Sequence, residues 1–150
     1  NLPYLAISHA INASLVRPAD NERGWQYDLA HSHHNIDDQV WEFQLREGVN
    51  FQDGTPFNAD SVLQNVAYFK RRPYTFSKLS TILARVEKVD DYTVRFHLTE
   101  PYGVFLHDAI WLQFYTPGYL EKHGWNGKPN CPNLAEPGPY ALGPYILHEG

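Results

Sequence analysis

The sequence is poor in cysteine, methionine and net positive charge, and two of these shortages exclude classes of protein. Cys131 is the single cysteine among 150 residues, so neither a disulfide framework nor a multi-cysteine metal site can form within the chain. Methionine is absent, and the formal net charge is −5. Because nucleic-acid binding needs a basic surface to meet phosphates, this balance argues against a nucleic-acid partner. No apolar run approaches the roughly 18 residues of a membrane span.

Aromatic residues are abundant, with 4 Trp, 10 Tyr and 8 Phe making up 15% of the chain. Hydrophobic residues make up 43% and charged residues 19%, a balance that supports a buried core and excludes disorder. A chain of this length forms one domain or a piece of a larger chain. Large rings either fill its core or line a surface that binds ligands.

Two segments have clear periodicity. In residues 40–45, Val40, Glu42 and Gln44 alternate with Trp41, Phe43 and Leu45, which predicts a strand with one aromatic face and one polar face. Residues 59–71 carry apolar side chains at helical spacing, and Asn58 stands where an N-cap is expected. Asp60 lies in the first turn of this predicted helix, where a negative charge complements the helix dipole.

A hairpin is predicted from Arg85–Val89 and Tyr92–Leu98, which flank Asp90-Asp91. Shorter helices are predicted at residues 5–16, 79–84 and 104–110. The side chains expected on the buried face of the hairpin are Val86, Val89, Val94, Phe96 and Leu98.

Three histidines in four residues form the first candidate site. Neutral imidazole is a common metal ligand, so His31, His33 and His34 could support a metal-dependent hydrolase. The known motif of that kind needs aspartate and histidine where this chain has Asn35 and Ile36. The pattern favours a polar loop leading into the next strand, and the hydrolase stays an alternative.

Other catalytic signals are missing. The chain has no Gly-x-Ser-x-Gly elbow and no phosphate-binding glycine loop, and Cys131 sits in a proline-rich segment without a helix to stabilise its thiolate. We therefore expect no enzymatic activity and no cofactor.

Two further segments could contact a ligand. The basic run at residues 70–72, followed by Tyr74 and Phe76, has the composition of an anion or carboxylate clamp. It equally fits the last turn of a solvated helix, where cations are stabilised by the dipole. The aromatic run at residues 111–115 fits either core or a pocket wall.

The stretch from Trp41 to Val62 reads WEFQLREGVNFQDGTPFNADSV. It resembles the signature block of family 5 extracellular solute-binding proteins, the oligopeptide-, dipeptide- and nickel-binding proteins of ABC importers. That block has a strand ending Leu-Arg-x-Gly-Val-x-Phe, an Asp-Gly-x-Pro-Phe turn and a capped helix. Residues 89–96 and 143–145 also match, although Ala141 and Leu142 replace the family's usual Gly-Thr.

The resemblance implies an α+β fold of antiparallel hairpins with short packed helices, part of lobe I of a type II-like periplasmic binding protein. Family members have two lobes that close over the ligand, so we expect a fragment of the first lobe with the second lobe absent. Within it, residues 1–40 and 140–150 would form the edge of the main sheet, and residues 41–139 an inserted α+β subdomain.

The resemblance also implies a function: capture of a peptide, metal chelate or other small solute for importer permease subunits, in the periplasm or outside the cell. The protein would then be membrane-associated only through the importer. A ligand-sensing domain of a transcription regulator is the alternative. In the nickel-binding branch, segments corresponding to residues 71–76 and 111–115 reach the chelate. The implied ligand-binding residues are Arg71, Arg72, Tyr74, Phe76, Trp111 and Gln113.

Overall fold

The computed structural model describes residues 13–71, 78–110, 112–118 and 120. Within these residues the chain forms six strands and three helices. The strands are β1 (Val16–Pro18), β2 (Trp25–Tyr27), β3 (Ala30–Asp37), β4 (Val40–Leu45), β5 (Leu83–Asp90) and β6 (Thr93–Leu98). The helices are α1 (Ala59–Arg71), α2 (Leu79–Ile82) and α3 (Phe105–Ala109). None of the helices described here combines the length and apolar character of a membrane span.

Antiparallel pairing dominates the architecture. Strands β3, β4, β6 and β5 form a four-stranded sheet in that order, and β1 pairs with β2 in a separate two-stranded sheet. Helix α1 packs against the large sheet, mainly at β5. The mixed fold with antiparallel strands and short helices, predicted from the sequence, is confirmed.

Strand β4 occupies the predicted residues, and its alternation places aromatic side chains in the core. Trp41, Phe43 and Leu45 are buried. Phe43 is fully buried, and its ring centroid lies 5.5 Å from that of Phe96 and 5.7 Å from that of Phe105. Large rings from two strands and from α3 therefore meet in one cluster, which accounts for much of the aromatic content.

The opposite face of the large sheet is polar and hydrogen-bonded across the strands. Gln44 accepts a hydrogen bond from the Ser32 hydroxyl at 2.6 Å and donates one to Glu42 at 2.9 Å. The Arg95 guanidinium donates to the other Glu42 carboxylate oxygen at 2.8 Å. Cross-strand pairs of this kind fix the strand register, because a slip of one residue would bury these groups.

The hairpin was predicted with its turn one residue too early. Strand β5 continues to Asp90, and the turn consists of Asp91 and Tyr92, with the Asp90 carboxylate accepting the Tyr92 amide hydrogen bond at 2.9 Å. Val94, Phe96 and Leu98 are buried as expected, whereas Val89 is 44% exposed and Val86 is half-buried. The expectation for Val89 was wrong because Val86 and Lys88 pair with the core-facing Phe96 and Val94, so strand alternation places Val89 on the opposite face.

Two segments differ from their predicted structure. Val16 belongs to β1, paired with Tyr27, instead of ending a helix, and residues 5–12 of that predicted helix lie outside the described residues. The histidine segment is strand β3, not a loop. Both errors have one cause, since pairing with a neighbouring strand supplies backbone hydrogen bonds that local side-chain patterns do not reveal.

The two predicted short helices are present with small differences in length. The first ends at Ile82, because Leu83 already pairs with Leu98 at the start of β5. The second is α3, which lies within the predicted residues 104–110 and buries Phe105 and Ala109.

Helix α1 spans the predicted residues and has the predicted cap. The Asn58 side-chain oxygen accepts a hydrogen bond from the Ser61 backbone N–H at 3.2 Å, and the Ser61 hydroxyl accepts one from the Asn58 N–H at 3.2 Å. Val62, Val66 and Phe69 are buried on one side of the helix. The apolar spacing read from the sequence therefore identified the side that packs on the sheet.

Replacing Asn58 by alanine is expected to lower the free energy of unfolding by about 1 kcal/mol, since the first turn of α1 would lose its side-chain acceptor. Chemical denaturation measures this change. Asn58→Asp, which keeps an acceptor oxygen, is the matched control and should retain most of the stability. Equal losses in both variants would contradict the assigned cap.

Candidate ligand-binding wall

The wall segment is here defined as residues 112–116, that is, the described part of the predicted aromatic run (112–115) together with Thr116. Leu112, Phe114 and Thr116 are buried, whereas Gln113 and Tyr115 are half-buried. Such alternation is typical of an extended segment with one side against a core. Gln113 and Tyr115 therefore lie on the side that faces away from the core.

The wall segment is held along one edge by the residues that precede β1. Ser14 and Gln113 form an antiparallel bridge, and the Phe114 N–H donates to the Ala13 carbonyl oxygen at 3.0 Å. These contacts join parts of the chain about one hundred positions apart, so no local sequence pattern indicates them.

The other edge of the wall segment contacts α1 through Asn65. The Asn65 side-chain oxygen accepts a hydrogen bond from the Tyr115 N–H at 2.8 Å, and its amide nitrogen donates to the Tyr115 carbonyl oxygen at 3.0 Å. The sequence analysis did not single out Asn65. The signal that could have found it is a polar residue at helical spacing between Val62 and Phe69, on the buried side of α1.

The signature-like stretch contacts the wall segment through aromatic rings. The Phe114 ring centroid lies 5.5 Å from that of Phe57, which in turn lies 5.9 Å from that of Phe51. Gly48 and Gly54 have φ angles of 73° and 87°, a backbone region that glycine adopts without strain. The stretch therefore acts as scaffold for the wall segment.

Arg46 and Asp28 connect the signature-like stretch to Ser14, the residue that bridges Gln113 of the wall segment. The Arg46 side chain donates to the Asp28 carbonyl oxygen at 2.5 Å, and its backbone N–H donates to the Leu29 carbonyl oxygen at 2.8 Å. The Leu29 N–H in turn donates to the Ser14 carbonyl oxygen at 3.0 Å. Backbone hydrogen bonds thus run from the signature-like stretch to the residue that bridges Gln113.

The basic run at the end of α1 has one described contact. The Lys70 ammonium donates to the Ala84 carbonyl oxygen at 2.5 Å, which ties the end of the helix to β5. Arg71 is the last residue of α1. Lys70 therefore has a structural contact of its own, and nothing in the described residues shows it facing a ligand.

Of the six predicted ligand-binding residues, the structure describes the surroundings of Gln113 alone. The Arg71 side chain lies outside the described part of the chain. So do the four remaining predicted residues, which are Arg72, Tyr74, Phe76 and Trp111. Asn65 and Arg71 are six positions apart on α1, about 9 Å along its axis, so the wall segment meets the middle of the helix and not its end.

The histidine candidates lie on β3 and gain no support as a metal site. Within residues 13–71, 78–110 and 112–118, no group of three or more potential ligands could hold a metal ion. His33 instead packs between aromatic side chains and accepts or donates a 2.7 Å hydrogen bond with the Tyr27 hydroxyl. Burial lowers the pKa of His33, with further contributions from the charges of Arg23 and His34.

The lowered pKa of His33 predicts a loss of stability in mild acid. Because the unfolded chain binds a proton at His33 more readily than the folded chain, the free energy of unfolding falls as the pH drops below about 6.5 and levels off below the folded pKa. Chemical denaturation at about pH 7.5 and about pH 5.5 measures the loss. The loss of unfolding free energy between these pH values should be smaller in His33→Phe than in the wild type. In His31→Gln, at an exposed position on the same strand, it should equal that of the wild type. Identical losses in all three proteins would contradict this role.

A family profile described as "Bacterial extracellular solute-binding proteins, family 5 Middle" matches residues 24–149. The chain belongs to this family. The match includes the signature-like stretch, α1, the hairpin and the wall segment, so the scaffold described above is the scaffold of family 5. Since the family consists of binding proteins, the absence of enzymatic signals in the sequence agrees with it.

Individual relatives support the same assignment. The chain is 34% identical over 112 residues to the glutathione-binding protein GsiB of Escherichia coli (strain K12), an alignment that covers 70% of this chain and 22% of GsiB. Its fold is similar to that of NikA from Brucella suis in complex with Fe(III)-EDTA, with a TM-score of 0.76 and 26% identity over 97% of this chain and 29% of NikA.

A third relative holds a peptide. The ABC transporter-associated periplasmic binding protein DppA from Helicobacter pylori, in complex with the peptide STSA, matches with a TM-score of 0.67 and 25% identity. The alignment covers 94% of this chain and 31% of DppA. According to the GsiB alignment, the chain spans about a fifth of the length of that curated relative. Neither the family nor these relatives support the transcription-regulator alternative.

Proposed function

We propose that the complete protein containing this chain captures a peptide, a metal chelate or a similar small solute between two lobes and delivers it to the permease subunits of an ABC importer. The observation that carries this proposal is the family 5 match over residues 24–149. The complete protein would work in the periplasm or outside the cell, and it would associate with the membrane through the importer.

This chain would contribute part of the first lobe. As expected from the sequence, residues 41–139 would form an inserted subdomain, with residues 1–40 and 140–150 at the edge of the main sheet. Strand β3, which precedes residue 41, pairs with β4 and would connect the two parts. The second lobe would come from elsewhere in the complete protein and close over the solute.

The wall segment would supply this lobe's side of the cleft. Gln113 presents an amide with donors and an acceptor, and Tyr115 presents a ring with a hydroxyl, on the side facing away from the core. A few directional polar groups next to aromatic surface are typical of small-molecule sites. Arg71, Arg72, Tyr74, Phe76 and Trp111 stay proposed contacts, with the arginines suited to carboxylate groups.

Gln113→Ala in the complete protein tests the role of this side chain. Calorimetric titration with glutathione, the peptide STSA and Fe(III)-EDTA, the solutes of the three relatives, identifies the solute that binds. We expect the variant to bind it about 2- to 10-fold more weakly, the effect of one lost hydrogen bond. Gln44→Ala, on the polar face of the large sheet, is the matched control and should leave the affinity unchanged. Equal affinities for the wild type and Gln113→Ala would contradict this contact.

A further inference from the structure

Asn65 is a buried polar residue with a specific task that the family assignment does not explain. It is 2% exposed and lies in the middle of α1. Its amide nitrogen donates to the Ser61 carbonyl oxygen at 2.9 Å, one turn earlier in the same helix. The side chain is therefore fixed on its own helix while it contacts Tyr115.

The two hydrogen bonds between Asn65 and Tyr115 reproduce the pairing of an antiparallel strand. A carboxamide carries one carbonyl acceptor and an amide donor, the same pair of groups as a peptide unit. It binds both backbone groups of Tyr115, at 2.8 Å and 3.0 Å. In the middle of α1 the backbone N–H and carbonyl groups bond within the helix, so a side chain has to provide this edge contact.

The wall segment is thereby held from two sides. Ala13 and Ser14 pair with Phe114 and Gln113 along one edge, and Asn65 pairs with Tyr115 along the other. Without Asn65, the N–H and carbonyl of Tyr115 would lose partners beside a buried helix face, which costs free energy and favours displacement of the segment.

We propose that Asn65 is a positioning residue that sets the place of Gln113 and Tyr115 in the solute site by clamping the backbone of the wall segment to α1. The solute-binding part of this proposal rests on the proposed function. The clamp itself does not, because it is a contact between backbone and side chain that exists without solute.

Three variants of the complete protein separate positioning from general stability. Asn65→Ser places a hydroxyl that can bond back to the preceding helical turn but is too short to reach Tyr115. Asn65→Asp keeps the acceptor for the Tyr115 N–H but replaces the donor to the Tyr115 and Ser61 carbonyls with an oxygen. Ser61→Ala is the matched control, because Ser61 is a buried polar residue of the same helix whose side chain contacts Pro56 and Asn58 instead.

Amide hydrogen exchange gives a readout that a merely structural role would not change. In Asn65→Ser the Tyr115 amide should exchange at least about 10-fold faster relative to the amides of β6, the change expected when about 1.4 kcal/mol of local protection is lost. Asn65→Asp should not restore slow exchange, because its second oxygen would face the Tyr115 and Ser61 carbonyl oxygens without a donor. Ser61→Ala should leave the ratio of Tyr115 to β6 unchanged. An unchanged ratio in Asn65→Ser overturns the proposal.

Affinity for the solute gives the second readout. If glutathione, STSA or Fe(III)-EDTA binds the wild type, Asn65→Ser should weaken that binding by about 10-fold, and Ser61→Ala by less than about 2-fold. Equal weakening in both variants overturns positioning in favour of a stability effect. If none of the three binds the wild type, the proposed function fails, and the exchange ratio alone supports or overturns the clamp.

Discussion

Phe43→Ala is expected to lower the free energy of unfolding by about 3–5 kcal/mol, one of the two largest effects of any substitution considered for this chain. The ring is fully buried and lies within 6.0 Å of the rings of Phe96, Phe105 and His33. Alanine would lose the transfer free energy of the ring and leave a cavity at the centre of the aromatic cluster. Chemical denaturation followed by tryptophan fluorescence measures the loss.

Ile36→Ala is the control for Phe43. Ile36 lies on β3, the strand paired with β4, and is 46% exposed. Its truncation should change stability by no more than about 0.5 kcal/mol. If the two variants lost similar amounts, β4 would not supply the core of the sheet.

Phe114→Ala is expected to have a comparable effect on stability, about 3–5 kcal/mol, together with an effect on binding. Phe114 is fully buried and packs on Phe57 next to the capped start of α1. Its neighbours in the chain, Gln113 and Tyr115, face the proposed site. Removing the ring should therefore loosen the wall segment and weaken solute binding by at least about 10-fold.

Phe43→Ala is the matched comparison for Phe114→Ala. Both variants remove a fully buried ring, but Phe43 lies in the large sheet and not in the wall segment. Denaturation and calorimetric titration of the complete protein should give similar losses of stability, with a large loss of affinity for Phe114→Ala only. A loss of affinity that follows stability in both variants would remove the wall segment from the site.

The elements that the sequence predicted correctly are those whose own side chains determine them. Strand β4 alternates rings and polar groups over six residues, and α1 has both a cap and an apolar stripe. Such patterns carry the information locally. The Asp-Gly turn implied by the resemblance agrees with the positive φ angle of Gly54.

The elements that the sequence missed are determined by pairing with other strands. Strand β1 forms because Val16 meets Tyr27, and β3 forms because β4 lies beside it, although its histidines suggested a loop. Val89 is exposed because strand alternation places it on the face opposite to Val86, whose partner Phe96 is buried. Local propensity is a weak guide wherever tertiary pairing decides.

The candidate site likewise contains a residue that the sequence predicted and residues that it did not. Gln113 was predicted and lies on the outward side of the wall segment, whereas Asn65 and Ser14, which hold that segment, were not predicted. Their hydrogen bonds join residues 50 and 99 positions apart, so composition and spacing do not reveal them. Resemblance to family 5 suggested residues 111–115 as a candidate region, and the structure supplied the contacts that hold its described part.

Calorimetric titration of the complete protein with glutathione, the peptide STSA and Fe(III)-EDTA tests the central claim most directly. The account predicts saturable, stoichiometric binding of at least one of these solutes, and weaker binding in Gln113→Ala than in Gln44→Ala. Absence of binding to all three by a folded protein, or binding that Gln113→Ala leaves unchanged, would contradict solute capture at the wall segment.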